Sequence, residues 1–446
     1  MRKRVSLCLA VGIWSCRIIA ATVPDLTASL EYVCDPSKER WGTGSAQARS
    51  ILDLVVYQDR IYPGMGNWAG NSGPVYAMAI NPRTGTCSNE YTMGTESCET
   101  IRVLQDGNLY FPATDYKDGH AAAGYWFRRT AAGEWYTHTK ALVDKSLSTH
   151  FWDFAEFEGR LFAAGYGIAA STDRGETWKD VNPVWKGVGE RFVAFLICGD
   201  ELFARTQRQI PFNYKTGELR VSQPSEAPFY YPAIYHHWNK KTAQFETITN
   251  SYLNLNAGLK RSDYSIAYES LSSLAGCDGH LWHATPFKDR CLYVLGSANK
   301  QTFSKTSYAP VGTFPAAAFS SYAENGCLKG TRITLETGAY PYDFAVVGDA
   351  VYLLAFKYKS ATKNVEHGVW KSTDGISFTK IFTFDFQQVM SAIEYCRGYF
   401  YFGAAYLKAQ PGLGALQSGL TDKAGSIYRI RCPQESPSSG CVLSVR

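Results

Sequence analysis

One pattern recurs seven times along this chain and leaves few folds open to it. An apolar run is followed by a short polar turn holding Gly or Asp, then by an apolar residue, an aromatic and small residues. The apolar–aromatic pairs are Ile61 and Tyr62, Leu109 and Tyr110, Leu161 and Phe162, and Leu202 and Phe203. They continue as Leu281 and Trp282, Val351 and Tyr352, and Phe400 and Tyr401. Each pair marks a β-hairpin. Two further strands follow: VYAMAI and CSNEYT around the turn NPRTG in the first unit, GYWFRRT and EWYTHT around AAG in the second. Four strands in a unit of roughly 40 to 50 residues is the signature of a propeller blade. Each blade buries its faces against its neighbours, so the ring needs all of them. The expected fold is therefore all-β, a propeller of four-stranded antiparallel blades. Seven blades are expected, with six the alternative. Longer spacings place insertions in the fourth and fifth units. Aromatics at 14% and charged residues at only 19% suit strands and turns better than helices.

The N-terminus reads as a secretory leader. Arg2, Lys3 and Arg4 precede an apolar run from Val5 to Trp14, and small residues Ala20 and Ala21 supply a cleavage site. The run is too short to span a bilayer. The expected organisation is a signal peptide over 1–21, a segment over 22–50 that contributes a strand to the last blade, the propeller over 51–431, and a tail over 432–446. Loss of Arg2, Lys3, Arg4 and Arg17 with the leader takes the net charge from +5 to +1. A near-neutral surface gives no electrostatic case for nucleic acid. Secreted, periplasmic or extracellular localisation follows, with no membrane insertion after leader removal and a monomer as the expected state.

Twelve cysteines less Cys8 and Cys16 leave ten in the exported chain, and disulfides are their default reading. Cys87 with Cys98, Cys277 with Cys291, and Cys432 with Cys441 are near in sequence and suit local loops, though spacing alone does not fix connectivity. No CxxC or HxxxH spacing occurs. On a strand His280 and His283 face opposite sides, so no shared metal is expected from them. No cofactor is implied.

The stretch STDRGETW, Ser171 to Trp178, joins two strands of the third unit, and a shorter variant, STDGISF, lies at Ser372 to Phe378. Asp173 suits bonding to amides of its own turn, and Gly175 suits a positive φ. The pattern resembles the Asp box (BNR repeat) of the sialidase-like β-propeller superfamily, over most of the mature chain. The resemblance implies a propeller and a superfamily of sialidases, other glycan-cleaving enzymes and silent binders. The nearest string to that family's arginine motif is RQIPF at Arg208 to Phe212, in mid-chain, so no catalytic residue is carried over.

In such a blade the Asp-box turns point away from the site, which excludes Asp173 and Asp374. The site is expected among loops between second and third strands and at the starts of first strands. Asn67, Trp68 and Asn71 in NWAGNSG offer a ring and amides to a sugar. Asp115, Tyr116, Asp118 and His120 follow in DYKDGH, with Asp115 and Asp118 the carboxylates for acid–base work. His150, Trp152 and Arg205 complete the ligand-binding set. Asp153 and Asp343 share an x-D-F pattern and are expected to tie strand starts to neighbouring blades. The functional expectation is binding of a glycan or other extracellular ligand at the central funnel. A glycoside hydrolase pairing Asp115 or Asp118 with Asp289 or Glu366 is the second reading, and a protein-interaction scaffold the third.

Overall fold

The computed structural model describes residues 22–42, 46–66, 73–116, 125–138, 150–165, 167–181, 192–206, 212–213, 229–230, 235–247, 281–296, 315–359, 362, 364–405 and 423–433. They form a seven-bladed propeller of four-stranded antiparallel blades. The first blade runs from inside to outside as Asp53–Tyr57, Arg60–Gly66, Val75–Ile80 and Cys87–Met93. The second is Arg102–Val103, Leu109–Pro112, Trp126–Arg129 and Trp135–His138. The third is Asp153–Phe157, Arg160–Ala164, Ile168–Ser171 and Lys179–Asp180. The fourth is Phe192–Cys198, Glu201–Thr206, Tyr235–Asn239 and Gln244–Thr247. The fifth is Leu281–Phe287, Arg290–Gly296, Pro315–Glu324 and Cys327–Arg332. The sixth is Tyr340–Val347, Ala350–Lys359, Asn364–Ser372 and Thr379–Phe386. Each innermost strand contacts the next, and that of the seventh blade contacts that of the first.

The seventh blade closes the ring. Its inner strands are Val389–Cys396, Tyr399–Ala405 and Ile427–Arg431, and its outermost strand is the N-terminal Glu31–Cys34, antiparallel to Ile427–Arg431. Closure thus joins residues from the two ends of the described chain. A disulfide from Cys34 to Cys87 then staples this strand to the outer strand of the first blade, and Cys198–Cys291 staples the fourth blade to the fifth. Both bridges link blades and neither closes a local loop. The pairings Cys87–Cys98 and Cys277–Cys291 suggested by spacing are therefore replaced. Proximity in the ring decides, because neighbouring blades bring together residues far apart in sequence. Cys98 is a buried thiol 3.9 Å from the Met93 sulfur.

Six of the seven apolar–aromatic pairs lie on second strands. The fifth is displaced by one strand: Leu281 and Trp282 open the innermost strand, and Leu292 and Tyr293 hold the second. The polar string CDG before His280 imitates a hairpin turn, while the true turn is Lys288–Asp289.

The core lies between blades. Phe162 of the third blade meets Trp238 of the fourth edge-on at 4.9 Å, with Phe195 and Phe245 beside them. Phe384 of the sixth meets Phe402 of the seventh at 4.8 Å. Each such ring contributes about 1.5–3 kcal/mol on burial. The STDRGETW turn is built as its residues suggest. Thr177 N donates to Asp173 Oδ1 at 2.8 Å, Gly175 N to Ser171 Oγ at 2.8 Å, and Trp178 Nε1 to the Gly175 carbonyl at 3.0 Å. Bonds to its ionised form from the Thr177 hydroxyl, then the Thr177 amide and the Ser171 hydroxyl, hold the Asp173 carboxyl down at about 2. Among the described residues, no helix is long and apolar enough to cross a membrane.

Candidate functional site

The two faces of the ring are built differently. On one face, first and second strands join through tight turns such as Gln58–Asp59, Glu158–Gly159 and Arg397–Gly398, with φ positive at both central residues. That conformation matches the right-handed strand twist. On the other face the chain leaves after second and fourth strands, and there, beside short connections such as 165–167 and 387–388, lie the longest connections between strands. They include 207–234, 248–280, 297–314 and 406–426. Long connections on one face of a rigid ring are the usual seat of binding.

Under that face, the starts of the innermost strands are tied together by carboxylates. Asp53, Asp153 and Asp343 are all buried. Each accepts an amide proton at the inner strand of the following blade: Ile101 N to Asp53 at 2.9 Å, Phe195 N to Asp153 at 2.8 Å, and Ile393 N to Asp343 at 2.8 Å. Asp153 and Asp343 also cap their own strands through Phe154 N and Phe344 N. The preceding blade supplies a base to each. Arg102 grips Asp153 with Nε and a terminal nitrogen at 2.8 and 3.2 Å, and His283 Nδ1 lies 3.0 Å from Asp343 Oδ1. Arg102, Asp153, Phe195 and Thr285 line a small cleft between the inner strands.

Glu99, in the connection between the first and second blades, stands apart chemically. It keeps partial contact with solvent, yet the surrounding protein raises its carboxyl to about 7. Its charge is felt by Tyr342 of the sixth blade, whose phenol is pushed above its usual range by burial first, then by Asp343 and Glu99. Sequence reading missed Glu99 and Asp53, and it weighed His283 only against His280. Asp53 sits in LDL and lacks the Phe that marked the other two aspartates. No local pattern signals that Glu99 and His283 approach the sixth blade.

The mouth collects part of the expected ligand set. Thr114–Tyr116 carries Asp115 and Tyr116 by its backbone, and Thr114 pairs with His150. His150 stacks on half-buried Trp152 with centroids 5.2 Å apart. The strand Thr95–Cys98 bridges Gly66 on one side and Thr114–Tyr116 on the other. Gly66 permits that approach, since a Cβ there would stand 2.5 Å from the Ser97 Cα at a φ of +117. Arg205 is buried, with Nε donating to the Tyr235 hydroxyl at 3.1 Å, so its described role is within the fourth blade. Asn67, Trp68, Asn71, Asp118 and His120 lie outside the described residues. Asp289 is in the fifth-blade turn on the opposite face, which removes it as a funnel carboxylate, and Glu366 pairs with Lys359 at 2.9 Å.

The chain matches no protein-family model and no curated protein. Its likeness is to solved propellers. The WD40 domain of Neurospora crassa Pan2 superposes with a TM-score of 0.51 at 7% identity, over 93% of this chain and 99% of that one. YCF48, solved bound to D1 peptide, gives 0.44 at 11% identity over 92% and 98%. A GH74 enzyme from Niastella koreensis gives 0.44 at 11% identity, over 84% of this chain and 52% of that one. At these identities the likeness speaks to the fold alone.

Proposed function

We propose that the protein is an exported propeller that binds a glycan, or another extracellular ligand, at the mouth of the ring on its long-connection face. The observation that carries this reading is the asymmetry between the faces: tight two-residue turns on one, and connections such as 248–280 and 297–314 on the other. The stacked His150 and Trp152 offer that mouth a ring surface of the kind sugars stack on. Bridges Cys34–Cys87 and Cys198–Cys291 suit an oxidising compartment, in keeping with the basic, apolar leader. The Asp-box-like turns at Ser171 and Ser372 point to the sialidase-like superfamily, which includes silent binders. Binding is favoured over hydrolysis because Asp53, Asp153 and Asp343 are buried in inter-blade bonds.

A hydrolase reading rests on one observation, the Glu99 carboxyl raised to about 7, where a general acid works at neutral pH. A glycan array on the mature protein, run beside a chromogenic glycoside panel, separates the two. Binding without turnover supports the proposal. Turnover abolished by Glu99→Gln replaces it with hydrolysis. Neither binding nor turnover refutes both.

A further inference from the structure

We propose that Asp53, His283 and Asp343 form a divalent-cation site on the propeller axis. The three come from the first, fifth and sixth blades, so they meet only because inner strands converge there. All three are more than nine-tenths buried, and one ligand atom from each lies within 4.8 Å of the others. An ion at the centre of even the widest such triangle stands about 2.8 Å from each atom, roughly 0.6–0.8 Å beyond ordinary zinc–carboxylate and zinc–imidazole bonds, a gap that small side-chain rotations close. The 3.0 Å between His283 Nδ1 and Asp343 Oδ1 is close to the ~3.3 Å separating adjacent ligands of a tetrahedral ion.

Charge points the same way. Two buried carboxylates this close repel strongly in a low-dielectric interior. Arg102 is committed to Asp153. A divalent ion between them would balance both carboxylates while the histidine stays neutral. Amides of Ile101, Phe344 and Ile393 orient the two carboxylates, as outer hydrogen bonds orient metal ligands. One nitrogen and two oxygens suit zinc or manganese, with water completing the coordination. This site is independent of ligand binding at the mouth.

The test is titration calorimetry of the mature, untagged chain after chelator dialysis, using zinc, manganese and calcium chlorides, with thermal melts alongside. One equivalent of at least one ion is expected to bind and to raise the melting temperature. Asp53→Asn and His283→Gln should each weaken binding at least tenfold, while Asp289→Asn in the opposite-face turn leaves it unchanged. Should a variant fail to fold, the wild-type isotherm and melt still decide. No stoichiometric binding by 1 mM of any of the three ions overturns the proposal. So does binding that persists undiminished in both folded variants.

Discussion

Removing the Asp153 carboxylate tests how the blades are held together. Asp153→Ala strips Arg102 of its bidentate partner and leaves Phe154 N and Phe195 N without their acceptor. Arg102 and Asp153 are both buried. Breaking a buried pair from one side costs about 3–5 kcal/mol, because the surviving charge stays desolvated. Each orphaned amide adds about 1–3 kcal/mol, less whatever water restores. The expected loss is about 5 kcal/mol, read as a shift in the urea midpoint of tryptophan fluorescence. Replacing both partners, Arg102→Met with Asp153→Leu, removes the stranded charge and should recover more than half of that loss. A single variant within about 1 kcal/mol of wild type, or a double variant no better than the single, would refute the reasoning.

The ring-closing disulfide spans a sequence separation of 53 residues, so Cys34→Ser with Cys87→Ser should lower stability by about 4 kcal/mol, measured by denaturant titration under oxidising conditions. Burial lowers His236 and His367 to about 3. Their unfolded-chain value is about 6.5, so unfolding takes up protons between those limits. Stability should then fall as pH falls below about 6.5, by up to ~1.4 kcal/mol per pH unit for each histidine. In His367→Gln the slope of stability against pH should lose one proton's worth, and an unchanged slope would contradict the assignment. Gly403→Ala places a methyl 2.4 Å from Ile51 Cγ2 where the seventh blade meets the lead-in to the first, and should cost about 1–3 kcal/mol in a thermal melt.

The architecture was legible because each blade repeats a local pattern. Leu161–Phe162 and Val351–Tyr352 announce second strands without help from the rest of the chain. The x-D-F pattern was likewise enough to read Asp153 and Asp343 as blade ties, since the bond to the next strand recurs at the same register. Non-local facts were not legible. The fifth blade was read one strand early because CDG before His280 looks like a turn. Disulfide partners Cys198 and Cys291 are set by ring geometry, not by spacing. The gathering of Asp53, His283 and Asp343 depends on three blades closing around one axis, which no window of sequence contains.

The account turns on which face of the ring meets a ligand. The decisive quantity is the dissociation constant, by calorimetry, of the glycan selected on the array, for wild type, Trp152→Ala at the mouth and Ile376→Ala in the sixth-blade turn of the opposite face. The account predicts at least tenfold weakening for Trp152→Ala and none for Ile376→Ala. Wild-type affinity in Trp152→Ala together with loss in Ile376→Ala would place the binding face on the wrong side of the ring and contradict it.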